Sequence, residues 1–385
     1  MYGLGELRTQ SNPHNTAMGN VGIGMKSENF LNTLNPASYS SIDSLTFLLE
    51  IGVDGKLSTY KTKTKTATSN DANFSYLAMG WRVNNWLAMG FGLNPFSSTG
   101  YEINTTSLIE GIQQEYPLNI IGSGDISRAY LSGSVSPIRN LSFGVKSSFM
   151  FGSQIQTQYH DLTNLGSYSI SNVTTDYFNN FYWEFGLQYQ VNLNDKNKLT
   201  LGAIYNPKQH LSARRLNTTY NSAGTTLKYE EESEADFVIP EEFGAGFSWQ
   251  NGERFLLAVD AGMQMWSNES YDISGVDLKN NPYLRGGIDY LPSTNVLTNY
   301  YKRISYRAGL RYAKSYLDLR GIQLDETAIS IGFGFPIQKQ KSRIDLSFEL
   351  GKIGTTNKNL IQENYFRLRL GFSLKDRWFT RMKFD

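Results

Sequence analysis

The chain of 385 residues balances 36 Lys and Arg against 35 Asp and Glu, and a formal net charge of +1 leaves no electrostatic case for nucleic acid. Mean hydropathy is that of a polar protein and no stretch approaches the roughly 18 apolar residues of a membrane helix, yet aromatics make up 14% of the chain, with 24 Tyr and 35 Gly. A chain of this make-up enters a membrane only as a closed barrel, and its lack of cysteine suits an exported bacterial protein that avoids periplasmic oxidation.

The opening MYGLGELRTQ has neither a basic n-region nor an apolar h-region. An outer-membrane protein needs a signal peptide, so one is inferred to have been removed, with residue 1 near the mature start. Residues 1–41 are rich in Gly, Asn and Ser, lack sustained alternation and contain Pro13 and Pro36, so they are not two membrane strands. Such a segment either hangs in the periplasm or folds into the lumen as a plug, which divides the chain into an N-terminal hatch (1–41), a barrel (42–376) and a periplasmic tail (377–385).

From residue 42 onward the pattern has period two. Residues 181–191 set Phe181, Trp183, Phe185, Leu187, Tyr189 and Val191 against Tyr182, Glu184, Gly186, Gln188 and Gln190. The same alternation recurs in 304–312, in 343–351 and in 365–374, where Phe366, Leu368, Leu370, Phe372 and Leu374 oppose Arg367, Arg369, Gly371 and Ser373. Strands with an apolar outside and a polar, glycine-rich inside mark a transmembrane β-barrel. Strands are expected near 44–61, 72–83, 86–107, 125–137, 140–160, 174–192, 198–213, 226–250, 254–268, 281–291, 303–315, 326–337, 342–354 and 361–376. The fold class is therefore all-β, an antiparallel barrel of about fourteen strands with both termini periplasmic. Tight polar turns at Asn84-Asn85, Arg139-Asn140, Asn194–Asn197, Asn251-Gly252 and Gln338–Ser342 alternate with longer external connections at 62–71, 108–124, 161–173, 215–225, 269–280, 316–325 and 355–361. Pro240 implies a bulge or break in its strand.

Inward positions of the last strands carry Arg285, Arg303, Arg307, Arg311, Arg343, Arg367 and Arg369 with Asp260, Asp289, Asp345 and Glu349. Confined charges need partners, so these either pair across strands as a stiffening lattice and clasp a plug, or bind and select a substrate.

Residues 17–24, AMGNVGIG, followed by Asn35-Pro36-Ala37-Ser38, resemble the hatch of FadL-like outer-membrane proteins, the long-chain fatty acid transporter family. GFGLNPF, Gly90 to Phe96, is similar to that family's third strand, and Ile239-Pro240 through Gly246-Phe247-Ser248 to its Pro-then-Gly-x-Ser pattern. The ending Lys375 to Asp385, KDRWFTRMKFD, resembles FadL-like relatives from Bacteroidota. The resemblance implies a hatch anchored by Asn35, Pro36 and Ala37. It also implies a strand kink at Asn94, Pro95 and Phe96 that opens the wall, so that hydrophobic or amphipathic small molecules leave sideways into the bilayer. Apolar surface then passes from pocket to lipid without crossing water.

Two functions of different class follow. One is passive uptake of hydrophobic compounds, with outer-membrane lipids and a hydrophobic small-molecule ligand as partners. The other is a sealed barrel serving as a membrane-embedded subunit of an outer-membrane complex for barrel assembly, type 9 secretion or surface-lipoprotein handling, in contact with other outer-membrane or periplasmic proteins. The family resemblance favours the first, whereas polar loops 161–173 and 215–225, the charged lumen and the basic tail favour the second. Loop 108–124, with Leu108, Ile109, Ile112, Leu118, Ile120 and Ile121, is either a capture loop or a cover over the barrel mouth. An enzyme is not expected: His14, His160 and His210 lie far apart in the chain and no Gly-x-Ser-x-Gly elbow is present. No cofactor or metal is expected, since the acidic run 230–236 matches no cation loop.

Overall fold

In a computed structural model of the chain, the described residues are 5–109, 112–163, 167–269, 276–337 and 342–377. Eighteen β-segments form one antiparallel sheet that closes on itself. They are β1 (Glu6–Leu7), β2 (Thr46–Lys61), β3 (Thr66–Arg82), β4 (Leu87–Ile109), β5 (Ile112–Ile138), β6 (Leu141–His160), β7 (Ile170–Asn192), β8 (Asn197–Asn206), β9 (Gln209–Asn221), β10 (Thr226–Ile239), β11 (Glu242–Asn251), β12 (Phe255–Gln264), β13 (Val276–Leu278), β14 (Asn281–Tyr290), β15 (Ser305–Leu319), β16 (Ile322–Ile337), β17 (Ser342–Gly354) and β18 (Gln362–Arg377).

The wall has fourteen strands, because β1 stands apart from it and β8 with β9, β10 with β11, and β13 with β14 are each one strand broken in the middle. The first two breaks sit at proline, Pro207 and Pro240, whose missing N–H cannot join a ladder. The break at Pro240 was expected from the sequence; the one at Pro207 was not. Closure is made by β18 on β2 over an unbroken register from Gln362↔Lys61 to Arg377↔Thr46.

The period-two pattern is realised as read. Phe181, Leu310, Ile329 and Leu350 lie exposed on the outer face, while Tyr182, Glu184, Arg307, Arg311, Asp345 and Glu349 are buried within. The tight turns are built by asparagine. Asn84 Oδ1 accepts from the amides of Trp86 and Leu87, Asn194 Oδ1 from those of Lys196 and Asn197, and Asn140 takes a positive φ of 74°.

Several long external connections prove to be hairpin tips rather than loops. β4 runs to Ile109 and β5 begins at Ile112, so most of 108–124 is ladder, with Thr105 opposite Leu118, Ile103 opposite Ile120 and Glu102 opposite Ile121. The side chains of Ile109 and Ile112 lie outside the described residues, while Leu108 and Ile121 are exposed. Likewise β3 begins at Thr66, β7 at Ile170, and β9 and β10 flank a short tip at 222–225. The 316–325 connection contracts to Arg320-Gly321, both at positive φ (56° and 73°) as a tight hairpin turn requires. Beyond the bilayer both faces of a hairpin meet water, so the ladder continues where the apolar period has stopped. Residues 338–341 of the expected turn, part of 269–280 and the tail beyond Arg377 lie outside the described residues.

One connection is longer than expected. Between β14 and β15, residues 291–304 include a 3-10 turn, Tyr300–Arg303. Arg303 therefore belongs to this connection and not to a wall strand; its Nη1 donates to the Val296 carbonyl at 3.0 Å. Proximity to the β15 alternation misplaced it.

Candidate functional site

The N-terminal segment lies inside the barrel and touches strands on every side. Asn12 caps the short helix α1 (Pro13–Ala17), its Oδ1 accepting from the Asn15 amide at 2.8 Å. Gly19 follows at φ 73°, and its amide donates to Ser330 Oγ on β16 at 3.0 Å. A Cβ on Gly19 would lie 2.5 Å from the Leu310 carbonyl oxygen, so the backbone approaches β15 as only glycine can. The amides of Gly22 and Ile23 donate to Asp260 Oδ2 on β12 at 2.6 and 2.9 Å. Opposite, Glu50 on β2 accepts from the Leu31 amide at 2.9 Å, and Gln188 on β7 donates to the carbonyls of Ile23 and Met25.

Asn35 is fully buried and caps the 3-10 turn Pro36–Ser41, accepting from the Ala37 amide at 3.0 Å. Its Nδ2 donates to the Ile23 carbonyl at 2.8 Å and reaches the carbonyls of Leu187 and Ala203 at 3.3 Å. The Ala37 carbonyl accepts from Ser134 Oγ on β5, and Pro36 packs over Gly144 and Gly186. Asn35, Pro36 and Ala37 thus sit together against β5 to β8.

The lumen charges form two groups. Arg307 bridges Asp289 at 3.0 Å and Asp345 at 2.5 Å, and Arg343 adds a 2.7 Å contact to Asp345. Arg311 meets Glu326 at 2.7 Å and Glu349 at 3.4 Å, and Arg367 reaches Glu349 at 3.5 Å. Two arginines bind the N-terminal segment instead: Arg369 Nη1 donates to Ser11 Oγ and Thr16 Oγ1 at 2.7 and 2.6 Å, and Arg285 to the Asn20 carbonyl at 3.3 Å. A further cluster escaped the sequence reading. Lys146, fully buried on β6, meets Glu184 at 2.8 Å, Gln10 Oε1 at 2.9 Å and the Thr33 carbonyl at 3.0 Å, with Arg128 at 3.7 Å from Glu184. Lys146 and Glu184 are direct ladder partners, so their inward positions on neighbouring alternating strands were the signal.

Among the described residues, two sizeable lumen cavities border the N-terminal segment. The larger, about 380 Å³, carries Arg128, Glu184, Glu242, Arg285, Arg311 and Glu326 on its lining beside Phe96 and Trp266. The other, toward the tight turns, is about 240 Å³ and meets His14, Lys26 and Arg343. His14 stacks on Phe30 with centroids 3.9 Å apart, and burial, helped by Arg307 and Arg343, holds its pKa well below the usual histidine value. His160 bonds Tyr116 and His210 bonds Asp236, so the three imidazoles stay apart. Of the acidic run, Glu230 pairs with Lys228 at 2.6 Å and the side chains of 231–234 lie outside the described residues. Among the described residues no His, Asp and Glu cluster suits a metal ion.

At Asn94, Pro95 and Phe96 the wall changes character. The described ladder between β3 and β4 runs only from Arg82↔Ala88 to Leu77↔Leu93. Past it, a bulge between Pro95 and Ser97 interrupts the β4–β5 register. Asn94 is buried and its Oδ1 accepts from Arg128 Nε at 3.3 Å. Phe96 points inward to an apolar lumen cluster with Ile126, Met150, Phe178 and Leu211.

A closed fourteen-strand wall with an inward-folded N-terminus is the architecture of the FadL-like outer-membrane barrels, and solved structures of that kind resemble it. A Pseudomonas aeruginosa FadL homologue matches with TM-score 0.64 at 15% identity over 97% of this chain and 100% of that one. The Ralstonia pickettii toluene transporter TbuX matches with TM-score 0.61 at 14% identity over 96% and 98%, and the Pseudomonas putida toluene transporter TodX with 0.60 at 17% over 98% and 100%. What this likeness shows of the chain is its fold, a FadL-like β-barrel. No curated protein matches. The BamG family model matches residues 1–385, and the chain belongs to the BamG family.

Proposed function

We propose that this barrel is a sealed, membrane-embedded subunit of an outer-membrane protein complex, of the barrel-assembly or surface-lipoprotein-handling kind, with its termini in the periplasm. The observation that carries this reading is the filled lumen. Asn12, Asn15, Asn20, Asn32 and Asn35 of the N-terminal segment are all nearly or fully inaccessible, and buried arginines and carboxylates tie the segment to the wall. The cavities it leaves lie apart, and each carries charged groups on its lining.

The second reading, hatch-gated uptake of hydrophobic small molecules with lateral exit, draws on the short β3–β4 ladder beside the apolar cluster around Phe96. It would follow the resemblance to the toluene transporters in fold. Purification from the native outer membrane in a gentle detergent, with mass spectrometry of co-eluting proteins and lipids, tests both. Stoichiometric protein partners are expected; a lone barrel enriched in apolar small molecules would overturn the subunit reading and establish the other.

A further inference from the structure

We propose that residues 5–8 form a displaceable strap that closes the side opening between β3 and β4. Above Leu77 and Leu93 the two strands no longer pair, and the edge of β4 that faces β3 takes a different partner. β1 lies antiparallel on it, Glu6 opposite Ser98 and Leu7 opposite Ser97, and the Arg8 amide donates to the Phe96 carbonyl at 2.8 Å. Side chains carry the strap across to the other bank. Arg8 reaches Asp71 on β3 at 3.4 Å and Asp54 on β2 at 4.0 Å. Glu6 binds Lys56 on β2 at 2.9 Å, which also holds Glu363 on β18, and lies 3.9 Å from Arg367. One short segment thus bonds β4 by backbone and β2, β3 and β18 by charge.

The fit to β4 is close at Gly5. Its φ is 80°, and a Cβ there would lie 2.4 Å from Thr99 Oγ1 and 2.7 Å from the Ser98 carbonyl oxygen. Leu7 packs against the lumen cluster behind Phe96. Yet β1 is two residues long, and its ion pairs are partly open to water, whereas the β17–β18 and β18–β2 ladders each run for more than ten pairs. A segment held by so few bonds opens locally long before the barrel does. Its release would bare an unpaired strand edge and the apolar cluster at one point in the wall. A strap of this kind needs no partner protein, so failure of co-purification would leave it standing.

The chain has no cysteine, which makes the test clean. In the full-length folded protein, Leu7→Cys with Ser97→Cys is expected to cross-link under mild oxidation, since paired antiparallel positions suit disulfide geometry. Ser97→Cys alone, fully buried in this structure, is expected to react with a small maleimide about tenfold faster when Gly5→Ala, which crowds the strap against β4, or Arg8→Ala, which removes its ion pairs, is added. Hydrogen exchange on the unaltered protein guards against misfolded variants: the Arg8 amide should exchange at least about tenfold faster than the β17–β18 ladder amides. No cross-link, equal labelling rates in folded variants, or equal amide protection would each overturn the strap.

Discussion

The wall from β15 to β2 and the wall at β3 and β4 are built from the same kinds of residue and end up differently. In the first, every strand pairs with its neighbour over ten or more positions, and inward Arg307, Arg311, Asp345 and Glu349 lock across the ladders. In the second, the described pairing lasts six positions, a bulge follows at Pro95, and a borrowed N-terminal segment stands in for the missing neighbour. A barrel needs its backbone groups satisfied in lipid, so a wall that stops pairing must find donors and acceptors elsewhere. Here it finds them in its own N-terminus.

The largest effect is expected where the complete wall depends on one cation. Arg307→Ala leaves Asp289 without its arginine and Asp345 with Arg343 alone, and should lower stability by about 3 kcal/mol, read by urea unfolding in detergent micelles. If the loss is below about 1 kcal/mol, the charge lattice is not what holds this side together. Next comes crowding of the N-terminal segment. Gly309→Ala would place a Cβ 2.0 Å from the Gly19 amide nitrogen, and Gly186→Ala one 2.0 Å from Asn35 Oδ1. Each should cost about 1–3 kcal/mol and loosen residues 11–42 to limited proteolysis while the barrel persists. Pro95→Ala is expected to change stability by less than about 1 kcal/mol, because restoring the N–H does not restore a β3 neighbour at that level. A markedly stabilised Pro95→Ala protein would show that proline alone opens the wall.

The smallest effect concerns pH. Burial raises the Glu6 pKa, but Lys56 on β2, Arg367 on β18 and Arg8 of the same segment outweigh it and hold the carboxyl below its usual value, with Glu363 sharing Lys56. A carboxyl depressed in the folded state contributes stability above its unfolded pKa and loses it as pH falls through the folded one. Strap closure should therefore hold at neutral pH and weaken below about pH 4, seen as a falling protection factor of the Arg8 amide relative to the β17–β18 ladder amides, each corrected for its intrinsic exchange rate; a relative protection that does not change with pH would detach Glu6 from the closure.

Much of this was legible in the residues. The aromatic-out, small-or-charged-in alternation of 181–191, 304–312, 343–351 and 365–374 determines strands, faces and barrel, because period two leaves each side chain only one side to take. Asparagine and glycine mark the tight turns for the same local reason. Hairpin tips such as 112–124 were not legible, since ladder bonds between strands in water leave no apolar signature. Nor was the pairing of Arg369 with Ser11 and Thr16, which depends on the N-terminus folding inward, whereas Lys146 and Glu184 face each other on consecutive strands and their inward positions could have been read. The sequence by itself determined a barrel with a charged lumen and a non-strand beginning. Only the tertiary structure decided that this beginning fills the lumen and lies along the edge of β4, because both depend on contacts between residues tens to hundreds of positions apart, which no local period records.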